Sequence, residues 1–154
     1  LPLSTLFLLL HLGGLAVYGL SLFYFSAQLG AGNKEEEGLQ RVRRFLRWGP
    51  VLGLSMGALI AGGLGLFYQQ NGAFVWDAAT RSGQFELLKH LGFLVLWVSH
   101  FHLEIWTQDP LRKLDGPTGP SDKTAWQVAC ARVRLQLRLN TLAFASLCAL
   151  SLWT

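Results

Sequence analysis

Four apolar stretches, each long enough to cross a bilayer, dominate the sequence and leave few folds open to it. They run from about Leu3 to Leu29, Trp48 to Tyr68, Phe85 to Trp106 and Ala125 to Trp153, and a spanning helix needs roughly 20 apolar residues. Backbone amides cannot stay unpaired in hydrocarbon, so each stretch is expected to be a helix. The predicted fold is therefore all-α: an integral membrane bundle of four transmembrane helices, with residues 1–154 as a single transmembrane domain. Composition agrees, at 51% hydrophobic and only 14% charged residues. A soluble amphipathic bundle is the alternative, because His and Glu interrupt the third stretch and the fourth has a basic approach. The first stretch lacks a basic leader and is too long for a signal-peptide core, so it reads as a retained helix.

The segments between the stretches read as turns and loops. They are Gly30 to Arg47, with Asn33 and the run Lys34-Glu35-Glu36-Glu37, then Gln69 to Gln84, then Thr107 to Thr124 with Pro110, Pro117 and Pro120. Lys34, Arg41, Arg43, Arg44 and Arg47 occupy the first segment. Arg112, Lys113 and Lys123 lie in the third, followed by Arg132, Arg134 and Arg138, whereas the middle segment has only Arg81. The positive-inside rule places loops 30–47 and 107–124 on the cytoplasmic-equivalent side and both termini opposite. The net charge of +4 thus reads as a topology signal and excludes nucleic acid as the expected partner. The expected partners are the lipid bilayer and other membrane subunits or a second copy of the chain.

Within the second stretch, Gly53 and Gly57 form a small-xxx-small pair, as do Ala58 and Gly62, and Gly63 and Gly65 thin the surface further. Such a surface admits a neighbouring helix or a flat ligand. Pro50 is expected in the first turn of that helix. Cys130 and Cys148 lack metal-ligand spacing and read as small hydrophobes.

The residues that carry chemistry are the histidines. His11, His90, His100 and His102 all lie in or beside the apolar stretches, where such side chains are costly unless they face a bundle interior. Tyr18 follows His11 by seven residues and returns to nearly the same helix face. Lys89, His100 and Glu104 share a stripe, being separated by close to three turns and then one more, while His102 points away from it. His11 and His100 on facing helices are a natural axial pair for haem iron, and either alone can ligate haem or a chlorin magnesium. At 1.5 Å per residue their depths differ by roughly 10 Å unless the helices tilt. The competing reading makes the histidines satisfied helix contacts, with Lys89 and Glu104 snorkelling to opposite headgroup layers. Phosphate loops, zinc-protease motifs and c-type haem attachment sites are absent from the sequence.

His11 is followed by Leu22-Phe23-Tyr24, Arg43-Arg44 precedes Pro50 and a Gly-rich helix, Lys89 precedes His100 by eleven residues, and Arg138-Leu139-Asn140 lies in the fourth stretch. In this order these features resemble the HemJ-type four-helix membrane protoporphyrinogen IX oxidases and their CopD-like relatives, which have a Lys followed by an aromatic-His pair and an Arg-x-x-Asn-Glu signature, here compressed by one residue. Thr141 stands where the family has an acidic residue, and Gly19 and Phe25-Ser26 replace the Trp and Pro-Arg that flank its Leu-Phe-Tyr. The resemblance implies a haem- or porphyrin-binding bundle that places His11 and Lys89 at functional positions. On this reading Lys89 is the candidate catalytic residue, His11, His100 and Tyr18 bind the cofactor, and His11 and His100 are the metal ligands. The expected function is a membrane haem or tetrapyrrole protein in redox chemistry, resembling a protoporphyrinogen oxidase. Haem b is the expected cofactor and a chlorophyll-type pigment its alternative. The other function is a noncatalytic subunit of an electron-transfer or photosynthetic complex, contributing helix packing or a pigment ligand. Copper handling ranks third, because a single Met56 and two separated cysteines supply little soft-ligand chemistry.

Overall fold

The computed structural model describes residues 2–30, 35–73, 76–116 and 119–152, and these are helical almost throughout. Helix α1 spans Leu3–Gly30, α2 Glu35–Asn71 and α3 Arg81–His102. A π-helical turn, Leu103–Gln108, joins α3 to the short α4, Asp109–Leu114. Strands β1 (Asp115–Gly116) and β2 (Gly119–Pro120) pair antiparallel and reverse the chain into α5, Lys123–Leu152.

The helices outrun the apolar stretches that predict them. The segment 35–47, expected as loop, is the first third of α2. Leu39, Val42, Phe45 and Leu46 recur there at helical spacing and pack into the core, with Phe45 edge-on to Phe25 of α1. Pro50 consequently lies well inside α2 and not in its first turn. A proline there leaves the carbonyl four residues earlier without its helical donor, and Arg112 Nη2 donates to that Leu46 oxygen at 3.3 Å. Residues 107–114, also expected as loop, are helical because Thr107, Gln108 and Leu111 are buried. Pro110 sits in the first turn of α4, where its missing N–H is tolerated. The widened π turn absorbs the change of register, with the Asp109 N–H donating to Glu104 O. Asn33, Lys34, Pro117 and Trp153 lie outside the described residues.

Successive long helices run antiparallel. His11 meets Leu59 at one end of the α1–α2 hairpin and Arg41 donates to Gln28 O at the other. Gly53 and Gly49 of α2 face His100 and Gln108, and Ser99 of α3 bonds to Asn140 of α5. Phe144 of α5 closes the bundle against Tyr18 of α1, ring centroids 5.6 Å apart.

Two helical segments, Leu3–Leu29 and Gly38–Asn71, are long and apolar enough to cross a membrane, with mean hydropathies of 2.0 and 1.8. Only 22% and 33% of their most apolar windows are buried, whereas the core helix of a soluble protein would be mostly covered.

Candidate functional site

Glycine sets the two faces of α2 apart. Toward α1, a Cβ on Gly62 would collide with the backbone of Phe7 and His11, and a Cβ on Gly14 would collide with that of Ser55 and Leu59. The two helices therefore touch backbone to backbone, which requires glycine at both positions. Toward α3 and the π turn, α2 meets side chains instead: a Cβ on Gly49 would collide with Gln108 Oε1, and one on Gly53 would stand in ordinary contact, 3.7 Å from both His100 Nε2 and Glu104 Oε2, while Gly57 is exposed and a Cβ there would meet nothing within 4 Å.

His11 belongs to the closed face. Its Nδ1–H donates to the Leu59 carbonyl at 3.0 Å, and its ring lies over Gly63. That bond fixes the tautomer and leaves Nε2 as the acceptor.

His100 is the opposite case. It is 2% exposed, and neither ring nitrogen has a hydrogen-bond partner among the described residues. Tyr18 packs edge-on against it with centroids 5.6 Å apart and planes at 74°, and the buried Tyr18 hydroxyl is likewise unpartnered. The adjacent Ser99 donates to Asn140 Oδ1 and accepts from Gln136, which leaves the buried Asn140 Nδ2 without an acceptor. Residues of α1, α3 and α5 thus bring Tyr18, His100 and Asn140 to one level of the bundle, across from Gly53 of α2. Each buried group left unpaired costs about 1–3 kcal/mol, so a cluster of them calls for an explanation.

The site residues expected from sequence divide accordingly. Tyr18 joins His100, not His11. Gly53 and Gly63 mark the levels of His100 and His11 along α2, and ten residues of helix put those levels about 15 Å apart. The structure therefore does not bring His11 and His100 together as one axial pair. Glu104 stays with His100 at Gly53, whereas Lys89 lies about three turns away and is ion-paired with Glu86. His90 packs among Phe67 and Trp76, and His102 is exposed. Cys130 and Cys148 are free thiols.

Sequence reasoning overlooked Ser99, Gln108, Gln136 and Asn140 as members of the polar interior. Their signal was present: Gln136 and Asn140 are four residues apart, as are Glu104 and Gln108, a spacing that aligns polar groups on one helix face. Attention to titratable groups alone passed over these amides and hydroxyls.

Among the described residues, no three His, Cys, Asp or Glu side chains gather to hold a metal ion. No protein-family model, curated protein or solved structure matches the chain.

Proposed function

We propose that the chain is a four-span membrane protein that holds a tetrapyrrole, with His100 as its protein ligand. The observation that carries this reading is a fully buried imidazole with both nitrogens unpartnered, set opposite a glycine. A bare ion needs three or four protein ligands, but a macrocycle brings four nitrogens of its own and asks for one or two axial ones. One buried histidine with both nitrogens unpartnered among the described residues suits that demand. Haem b is the first occupant considered and a chlorophyll-type pigment the second.

Within the site, His100 would hold the group through a ring nitrogen, and the Tyr18 hydroxyl and the Asn140 amide would orient it or a water beside it. A bound haem supplies one-electron chemistry; the chain contributes a water-poor setting. His11 is committed to Leu59 and Lys89 to Glu86, so the reading rests on binding and electron transfer and assigns no oxidase step to either.

Crossing by all four long helices is supported by their uncovered apolar surface. Leu88, Val95 and Val98 of α3 and Leu135, Leu139 and Leu142 of α5 are all exposed, as lipid-facing side chains are. With segments 30–47 and 107–124 on the cytoplasmic-equivalent side, Gln70→Cys and Ser121→Cys in a Cys130→Ser, Cys148→Ser background are expected to react with an impermeant maleimide from opposite faces of intact vesicles. Labelling from one face contradicts four spans.

Ligation is tested by titrating the detergent-purified chain with haemin. A saturable Soret shift at one haem per chain, lost in His100→Ala and kept in His11→Ala, supports the site. Failure of wild type to bind either haemin or a chlorin moves the function to the noncatalytic subunit.

A further inference from the structure

The end of the bundle that carries α4 holds a second feature. A cleft of about 550 Å³ lies between α2 and the α4–β1 segment, lined by Arg43, Leu46, Arg47, Arg112, Asp115 and Gly116. Its lining sets three guanidinium groups against one carboxylate. Asp115 is engaged by Arg43, whose Nε and Nη2 donate to Oδ1 at 2.9 and 2.7 Å, and Nη2 also donates to Gly116 O. Arg112 is held in place by Asp109, Gln108 Oε1 and the Leu46 carbonyl left open by Pro50. Arg47 has no hydrogen-bond or ion-pair partner among the described residues. Two guanidiniums are thus fixed at the walls by other contacts, and a third is left with all its donors. Positive charge exceeds negative in a concave site, an arrangement that selects a compact anion.

The margins of the cleft add a second constraint. Val51 follows Arg47 by four residues and so shares its helix face, and Trp48 lies beside it; both are exposed, as are Ile105 and Trp106 two turns before Arg112. An anion whose charged end enters the cleft would therefore have apolar surface next to its other end.

We infer that this cleft is a phosphate-group site, with an anionic phospholipid headgroup as the form that uses the apolar margins and free phosphate as the other source. Guanidinium forks match phosphate oxygens in pairs. Arg47 supplies the free fork and the net positive charge, while Arg43 and Arg112, each ion-paired with a carboxylate, fix the walls. The lipid source rests on the membrane reading above; the phosphate chemistry does not.

The full chain in non-ionic detergent is titrated with short-chain phosphatidic acid, with phosphatidylcholine of the same chain length, and with inorganic phosphate, following tryptophan fluorescence. Wild type is compared with Arg47→Gln and with Arg132→Gln, an exposed arginine of α5 outside the cleft. Phosphatidic acid is expected to bind saturably and more tightly than phosphatidylcholine, and Arg47→Gln to weaken it about tenfold or more while Arg132→Gln does not. Inorganic phosphate binding with the same Arg47 dependence supports the site and names the soluble source. Equal binding of phosphatidic acid and phosphatidylcholine, or equal effects of the two arginine variants, overturns it. Haemin binding in the same samples is expected to be indifferent to Arg47→Gln, so this inference and the tetrapyrrole reading fail separately.

Discussion

The α1–α2 seam and the α2–α3 seam use the same residue type for opposite ends. Along α1, glycines bring two backbones into contact, and the histidine in that seam finds a carbonyl acceptor. Along α3, Gly53 faces a buried histidine whose ring nitrogens have no hydrogen-bond partner among the described residues. The histidine of the first seam is hydrogen-bonded and that of the second is not. Small residues in such a helix therefore do not by themselves separate packing from binding; the hydrogen-bonding state of the polar group opposite them bears on it.

Substitutions separate the seams by size and by sign. Gly62→Leu breaks the closed seam, because the side chain would displace backbone that cannot yield. The expected loss is at or above the upper end of the about 1–3 kcal/mol typical of overpacking, read as a lowered midpoint of thermal unfolding in detergent. A chain that tolerates the change shows that the helices do not meet there.

His100→Leu acts on the open seam with the opposite sign. With no ligand bound, removing an unpartnered buried imidazole stabilises the chain by about 1–3 kcal/mol, and ligand binding is lost. Destabilisation of the ligand-free chain would mean that His100 has a hydrogen-bond partner and that the seams are alike. His11→Ala removes a single hydrogen bond, at about 1 kcal/mol, and leaves ligand binding intact. The smallest effect belongs to Gly57→Ala, where an added methyl meets nothing. Improved helix propensity predicts a gain below about 1 kcal/mol, and a loss would reveal a neighbour pressed against that face.

Much of this was legible in the sequence. Apolar length located all four long helices, since a helix pairs its amides within the one segment and about 20 apolar residues in a row leave few turn signals to interrupt it. Helix ends were not, because Val42, Phe45 and Leu111 continue the buried pattern on turns whose other faces are charged, and charge reads as loop. The π turn has no pattern in the sequence beyond Pro110, which reads equally well as a stop. His100 was visible as a polar group in an apolar helix, but the packing of Tyr18 against it was not. Tyr18 shares a face with His11 by angle, yet the distance along α1 carries it to the level of His100, and only packing shows which helix meets it there.

The most direct measurement is a dithionite-reduced minus oxidised spectrum of the chain purified from its native membrane, for wild type, His100→Ala and His11→Ala. The account predicts a reducible Soret band in wild type and in His11→Ala and its loss in His100→Ala. A band that survives His100→Ala, or a folded wild type that is colourless although prepared without loss of cofactor, contradicts it.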